Sequence, residues 1–171
     1  MILMHNQIEK FKNNNLIQKY DSDAGYDIRS PHLLKICPGT YETIDTRLHV
    51  KLPDYLMAFV KSKSGIGIKL STECSNSGVI DASYIDSIKV KLYNLNLNDP
   101  MIIKPGERFC QLVPLINPKI FFRYISKCRN FQQLIMTFEK FDAEIVEQDI
   151  STWSISDTER GQNGLGSTGV K

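Results

Sequence analysis

Apolar and polar residues alternate along much of this chain, and that two-residue period is typical of half-buried β-strands. The runs over 44–52 and 88–93 show it most clearly, while 55–61 and 109–116 are mostly apolar segments of strand length. Turn residues lie between these runs, for example at Pro53 and along 96–100. Short strands at this spacing, without intervening helices, predict an all-β barrel or sandwich.

One region departs from this alternation. Between residues 119 and 141 the turn residues are absent, and Phe131, Leu134, Ile135 and Phe138 fall at positions i, i+3, i+4 and i+7. That spacing predicts a short helix. A pair of strands is the alternative interpretation, since periodicity alone does not separate the two in so short a run.

Composition narrows the class of protein. The 171 residues are enough for one domain with a sizeable core. The net charge of +2, with basic and acidic residues interspersed, does not favour a nucleic-acid-binding or membrane-binding surface. No apolar run reaches the 18 residues that indicate a membrane span, and the first ten residues are too polar for a signal peptide.

The cysteines indicate the redox environment. Cys37, Cys74, Cys110 and Cys128 are far apart, none belongs to a C-x-x-C pair, and the three histidines are scattered. This spacing does not suit zinc, and we expect free thiols rather than disulfides. We therefore expect a cytoplasmic protein, or a nuclear one in a eukaryotic host, that is not secreted.

The segment RGQNGLGSTGV at 160–170 has four glycines, two hydroxyl side chains and a leading arginine. It contains G-x-G-x-x-G literally, but a dinucleotide-binding fingerprint needs a strand before it and a helix after it. Glycine-rich backbone can bring many N–H groups close to an anion. The composition therefore indicates a flexible lid over a phosphate-bearing ligand, with a disordered tail as the plain alternative.

Four further clusters combine glycine with charged or hydroxyl side chains. They read AGYD at 24–27, KSGIG at 63–67, GVIDASY at 78–84 and GERFCQL at 106–112. Each alone is typical of a turn or of a strand end. In this order, and followed by RGQNGLGSTG at 160–169, they resemble the five motifs of the trimeric dUTPase family, the dUTP diphosphatases.

The resemblance implies a jelly-roll-like β-barrel in a single domain over 1–171, with an insertion at about 118–143 and a C-terminal arm at 158–171. It implies a homotrimer whose sites are shared between subunits. The implied activity is hydrolysis of dUTP to dUMP and pyrophosphate, by Mg²⁺-assisted in-line attack of water on the α-phosphate. Neither nucleic acid nor membrane is an expected partner, whereas the insertion is a candidate binding element for a protein.

The same resemblance implies roles for individual residues. Asp81 matches the carboxylate that activates the attacking water, for which it must come within hydrogen-bond reach. Asp27 matches the carboxylate that organises the water shell of Mg²⁺. Tyr84 matches the ring beneath the deoxyribose, which leaves no room for a 2′-hydroxyl. The other implied substrate-binding residues are Lys63, Ser64, Gly65, Asn76, Gly78, Ile80, Gln111, Arg160, Leu165, Gly166, Ser167 and Thr168.

Three residues depart from the family's pattern. Lys63 stands where the family has Arg, so the charge is kept but the planar, two-pronged donor is lost. Leu165 stands where the family has the Phe that stacks on uracil, and base stacking on aromatic rings is worth roughly 1–3 kcal/mol. Asp86 stands where relatives often have Gly, and it would repel triphosphate if it faced the site.

Two functions are alternatives to dUTP hydrolysis by an active dUTPase. The departures are compatible with a dUTPase-like protein of low activity that regulates a partner through the 118–143 insertion. A dCTP deaminase, which shares the fold, is the third hypothesis. That family carries a glutamate in the strand after the equivalent hairpin, and residues 85–94 contain none.

Overall fold

A computed structural model of the chain describes residues 7–11, 16–17, 23–69, 72–75, 79–133 and 144–148, with side chains for 23–67 and 79–133. Short strands dominate this part of the chain. They are β1 (Gln7–Phe11), β2 (Leu16–Ile17), β3 (Tyr26–Arg29), β4 (Leu34–Ile36), β5 (Tyr41–Asp45), β6 (Val50–Lys51), β7 (Leu56–Ser62), β8 (Thr72–Ser75), β9 (Ile80–Asp81), β10 (Lys89–Asn94), β11 (Met101–Ile103), β12 (Arg108–Ile116) and β13 (Glu144–Gln148).

The strands form four sheets. The largest has the order β2-β3-β12-β7-β9, two three-stranded sheets have the orders β5-β10-β8 and β13-β1-β6, and β11 pairs with β4. Neighbouring strands are antiparallel except for β1 and β13, which run parallel. The all-β prediction is confirmed, although the described strands do not close into one continuous barrel.

The inward faces of the sheets share one hydrophobic core. On β10 the alternation places Val90 and Leu92 fully inside, while Ala58 and Val60 of β7 are buried from the largest sheet. Burying one such aliphatic side chain stabilises the fold by about 1.5–3 kcal/mol. Because a one-residue slip would turn these residues outward, the core fixes the register of each strand.

The predicted strand over 44–52 is interrupted, although its alternation of buried residues is correct. The left-handed backbone of Arg47 (φ 56°) separates β5 from β6. The Thr46 hydroxyl donates to Ile88 O (2.7 Å) and accepts from Leu48 N (3.1 Å). The side chain thus supplies hydrogen bonds that a continuous ladder would have made, so burial continues where strand geometry stops.

The described residues also include the short helices α1 (Ser64–Lys69) and α2 (Pro118–Ile125). α1 occupies the position predicted to be a turn. α2 begins the 118–143 insertion, where the Asn117 side chain caps it by accepting from Lys119 N and Ile120 N. Neither helix is long and apolar enough to cross a membrane.

A helix in the insertion was predicted, but α2 starts earlier than the apolar stripe that predicted it. Residues 131–133 are helical as well. The remaining residues of the stripe, Leu134, Ile135 and Phe138, lie outside the described residues.

Candidate functional site

A cleft of about 230 Å³ opens where β3 and β12 run side by side. We call it the Asp27 cleft. Its lining comes from three of the motif segments found in the sequence, and the lining residues are Asp23, Ala24, Gly25, Asp27, Lys63, Arg108 and Gln111. Antiparallel pairing places Gln111 opposite Asp27, so the register of the sheet brings separate motifs together.

Asp27 lies at the centre of an ionic cluster. The Nζ atom of Lys63 donates to both carboxylate oxygens of Asp27 at 2.8 Å, and Nη1 of Arg108 donates to Oδ2 at 2.8 Å. The Asp27 side chain is only 10% exposed, whereas those of Lys63 and Arg108 are 30% and 37% exposed. Lys63, Arg108 and Asp27 together carry a formal charge of +1, and Asp23 adds a second carboxylate to the lining, so the cleft offers an anion its two cationic donors rather than a net positive charge.

Arg108 was missed as an individual site residue. It is the arginine of GERFCQL at 106–112, one of the motif segments found in the sequence, so that segment carried the signal. Its guanidinium has five N–H donors, and the contact with Asp27 uses one of them. Further donors are therefore available in the cleft to a planar or tetrahedral oxyanion.

Gly25 allows the cleft to form. A Cβ atom at this position would come within 3.0 Å of the Leu112 carbonyl oxygen and of a Val113 methyl group. The chain before β3 can therefore lie directly against β12 only because this residue has no side chain. This close approach places the start of β3 next to the Gln111 amide.

Ser64 and Gly65 follow Lys63 at the edge of the cleft, and both are exposed. The segment bends into α1 through bonds from the amides of Ile66 and Gly67 to the Lys63 carbonyl, at 3.0 and 2.8 Å. Lys63 is thereby fixed at the junction of β7 and α1. Its ammonium reaches the cleft while Ser64 and Gly65 stay accessible to a ligand.

Asp81 and Tyr84 lie outside the Asp27 cleft, in the turn over residues 81–88, which we call the Tyr84 turn. The amide of Tyr84 donates to the Asp81 carbonyl (3.0 Å), and the Tyr84 hydroxyl donates to Ser87 O (2.8 Å). Tyr84 is 8% exposed and packs against the core, and burial raises the pKa of its hydroxyl, with Asp86 and Asp45 adding to the rise. Ile80, just before the turn, has its side chain in the core.

The Asp27 cleft and the Tyr84 turn do not meet within one chain. Asp81 pairs with Met57 of β7, four residues away from Lys61, which pairs with Gln111. At about 3.3 Å per residue this is roughly 13 Å along the strands, and β3 and β9 are also separated by β12 and β7. A water held by Asp81 within hydrogen-bond distance would not reach a phosphate in the same chain's cleft.

Asp86, one of the departures from the family pattern, is engaged within its own turn. Its Oδ1 accepts from Ser87 N (2.7 Å), and its Oδ2 lies 3.7 Å from Lys89 Nζ. The concern that this carboxylate repels triphosphate is therefore reduced, because Lys89 offsets its charge.

The described residues do not offer a set of direct metal ligands. They contain no group of three or more His, Cys, Asp or Glu side chains that could hold an ion. In the cleft, both oxygens of Asp27 already accept from cations. A directly coordinated Mg²⁺ does not fit this arrangement, and the contact through water predicted for Asp27 stays a prediction.

Several predicted site residues lie outside the described residues, so their positions stay predictions. They are Asn76, Gly78, Arg160, Leu165, Gly166, Ser167 and Thr168.

Sequence comparison identifies relatives along most of the chain. The family model described as dUTPase matches residues 12–117. The protein named deoxyuridine 5′-triphosphate nucleotidohydrolase from Cutibacterium acnes is 32% identical to this chain, and the match covers 86% of this chain and 80% of that protein. The protein of the same name from Corynebacterium diphtheriae is 33% identical, over 90% of this chain and 84% of that protein. A protein of the same name from a Mycobacterium species is 36% identical over 95 residues, which is 55% of this chain and 62% of that one.

Solved structures show the same fold. The dUTPase of EIAV aligns with a TM-score of 0.59 at 24% identity, covering 65% of this chain and 89% of its own. The dUTPase of Staphylococcus bacteriophage 80alpha aligns with a TM-score of 0.60 at 23% identity, covering 66% and 91%. The all-β jelly-roll prediction is thus confirmed at the level of the fold.

Proposed function

Because this chain belongs to the dUTPase family, we propose that it hydrolyses dUTP to dUMP and pyrophosphate. The observation that carries the proposal is the Asp27 cleft, where Lys63, Arg108 and Gln111 come together from motifs far apart in sequence. Two cations and an amide suit a polyphosphate, and phosphoryl chemistry requires mainly positioning and charge stabilisation from the protein.

In the proposed reaction, water attacks the α-phosphorus, the bond to the bridging oxygen of the β-phosphate breaks, and pyrophosphate leaves. Asp81 accepts the proton that the water loses. Lys63 and Arg108 donate to phosphate oxygens, and the amide of Gln111 donates near the α-phosphate. Asp27 holds both cations in place, which prepares them for the charge that develops on the leaving group.

The separation of the cleft from Asp81 supports a site shared between subunits of a homotrimer. Alternation along β7 and β12 turns Met57, Phe59, Val113 and Leu115 away from the buried face. Phe59 pairs with Val113, and Met57 pairs with both Leu115 and Asp81. An outward apolar strip between the two half-sites is the kind of surface that another copy of the chain would cover, bringing its own Asp81 to this cleft.

Tyr84 gives the proposed preference for a deoxyribonucleotide. Its ring packs against the core and its hydroxyl bonds to Ser87 O, so the ring has little freedom to move aside. A fixed ring beneath the sugar excludes a 2′-hydroxyl by steric conflict.

We retain three further parts of the prediction as proposals. Arg160, Ser167 and Thr168 of the arm would complete the phosphate cradle, and Leu165 would cover the base, which Asn76 and the backbone near Gly78 would bind. Mg²⁺ would accompany the phosphates and supply charge neutralisation when bound; the neighbouring dUTPase of phage phi11 is described with a structural Mg(II) ion.

A pyrophosphate-release assay tests the proposed activity. With dUTP and Mg²⁺ we expect turnover, with little from UTP or dCTP and little after addition of EDTA. The same samples should release no ammonia from dCTP. Release of ammonia, or absence of pyrophosphate at enzyme concentrations in the micromolar range, would contradict the proposal.

A second candidate function, binding of a protein through the 118–143 insertion, is favoured by the exposed aromatic residues there. Phe122 is 66% exposed and Phe131 is 74% exposed, beside a basic residue at Arg123. Contiguous exposed apolar side chains mark a partner-binding surface, and this candidate requires the two rings to form one such patch. A Phe122→Ser variant with unchanged dUTP turnover should lose a specific partner, identified by co-purification from the native host; retention of every partner would contradict this candidate.

The cytoplasm, or the nucleus in a eukaryotic host, is the proposed location. Cys37, Cys110 and Cys128 are free thiols, which is the state expected in a reducing compartment.

A further inference from the structure

Ser87 lies at the centre of the Tyr84 turn and is contacted from three directions. Its carbonyl accepts from the Tyr84 hydroxyl at 2.8 Å, its amide donates to Asp86 Oδ1 at 2.7 Å, and its hydroxyl donates to Asp45 Oδ1. Ser87 is only 6% exposed. One small residue therefore links the tyrosine hydroxyl to two carboxylates.

The contact with Asp45 ties the turn to a different strand. Asp45 ends β5, 42 residues away from Ser87 in sequence, and pairs in register with Lys89 at the start of β10. Its Oδ1 also accepts from Arg47 N at 2.9 Å, where the backbone turns left-handed. The position of Ser87 is thus set by the end of β5 as well as by its own turn.

The charges around Asp45 favour this arrangement. Burial raises the pKa of Asp45, but the bonds from Ser87 and Arg47 N and the charge of Lys89 outweigh it, so the pKa lies below its ordinary value. Asp45 is therefore ionised at neutral pH and accepts from Ser87 as a carboxylate. Hydrogen bonds to an ionised acceptor are stronger than those between neutral groups.

We propose that Ser87, held by Asp45 and Asp86, is a positioning residue for the Tyr84 ring and thereby sets the discrimination against a 2′-hydroxyl. The inference rests on the proposed function, in which Tyr84 lies beneath the sugar. Exclusion of one oxygen atom requires the ring to stay within about 0.5 Å of its place. The Tyr84 hydroxyl is fixed by a backbone carbonyl, so movement of Ser87 moves the ring.

The experiment compares substrate selectivity, the kcat/KM for dUTP divided by that for UTP, in Ser87→Ala, Asp45→Ala and the double variant. We expect each single variant to lower this ratio roughly tenfold, the value of one charged hydrogen bond. The double variant should fall no further, since both substitutions remove the same link. Asp45→Asn, which keeps an acceptor oxygen, should restore most of the selectivity.

Ser126→Ala is the matched control. Its hydroxyl also donates a hydrogen bond, but to the backbone carbonyl of Arg123 at the exposed end of α2. We expect its selectivity to equal that of the wild type. Thermal unfolding of every variant shows whether a change in selectivity comes from a displaced Tyr84 ring or from a loss of folded protein.

Two results would overturn the inference. One is an unchanged ratio in folded Ser87→Ala and Asp45→Ala, whether or not kcat/KM falls for both nucleotides; the other is a ratio that falls equally in Ser126→Ala. Absence of dUTP turnover in the wild type would instead count against the proposed function. The positioning role then still has its own readout: the NMR signals of ¹³C-labelled Tyr84 should shift in Ser87→Ala and not in Ser126→Ala, and signals that stay in place would contradict it.

Discussion

The Asp27 cleft lies where β3 and β12 meet in the largest sheet, whereas the Tyr84 turn begins at β9 on the edge of that sheet, and different interactions hold them in place. In the cleft, sheet register and two ion pairs at 2.8 Å fix a carboxylate between cations. In the turn, hydrogen bonds to Ser87 fix an aromatic ring. In the proposed reaction, the cleft receives phosphate charge, and the turn supplies the carboxylate that acts as the base and the ring that excludes a 2′-hydroxyl. Neither is complete alone, which is why we propose that the reaction uses two copies of the chain.

The largest expected effect is at Asp81, the proposed general base. Asp81→Asn should lower kcat by roughly 10²–10⁴, because the amide cannot take the proton from water. Its KM for dUTP should change little, since in the proposed site the phosphates bind to the cleft of another subunit. Steady-state pyrophosphate release and calorimetric binding of a non-hydrolysable dUTP analogue measure the two quantities. A near-normal kcat would show that Asp81 is not the base.

A substitution in the cleft should mainly raise KM for dUTP, whereas Asp81→Asn should mainly lower kcat. Arg108→Ala removes a phosphate donor and one of the two partners of buried Asp27, so we expect KM to rise about ten- to a hundredfold. The matched control is Lys104→Ala, an exposed cation at the turn before β12. Equal effects of Arg108→Ala and Lys104→Ala would indicate only a general contribution of positive charge.

A smaller effect is expected from restoring the family's residue in the cleft. Lys63→Arg reintroduces the planar donor that binds two oxygens at once, and we expect kcat/KM for dUTP to rise a fewfold. The gain should appear mainly in KM. A loss of activity would mean that this cleft has adjusted to the compact ammonium, whose Nζ already contacts both oxygens of Asp27.

The smallest effect concerns acid stability of the turn. The pKa of Asp45 is lowered in the folded protein. Ionised Asp45 therefore stabilises the fold at pH values above 3.8, its ordinary pKa, and this stabilisation is lost as the pH falls through the folded-state pKa. Asp45→Asn should therefore lower Tm slightly at pH 7, with the difference from wild type shrinking below pH 4. A difference that stays constant down to pH 2 would contradict the assignment.

Local pattern predicted the strands but not the contacts that interrupt or connect them. The alternation over 44–52 gave the buried positions correctly, since burial follows side-chain period. The break at Arg47 depends on the Thr46 hydroxyl meeting Ile88, 42 residues away, and no local signal encodes that meeting. The helix at Ser64–Lys69 contains two glycines, so propensity predicted a turn; packing of Ile66 against the core overrides this preference.

The candidate site was predictable as a set of motifs rather than as an arrangement. Asp27, Lys63 and Gln111 were identified from sequence, whereas the ion pair of Arg108 with Asp27 spans 81 residues and became visible only in the fold. The same holds for Ser87 and Asp45, which belong to no motif. Distances set by strand pairing also show what sequence did not, namely how far Asp81 lies from the cleft of its own chain.

Mixed trimers test the central claim most directly. Asp81→Asn and Arg108→Ala chains, each inactive or nearly so at low dUTP, would be co-expressed with different tags and the mixed particles purified. Every mixed trimer then has an intact cleft facing an intact Asp81 at one of its three sites. We therefore predict recovery of about a third of the wild-type activity in the purified mixed particles; mixed particles no more active than the two separate variants would contradict a site shared between subunits.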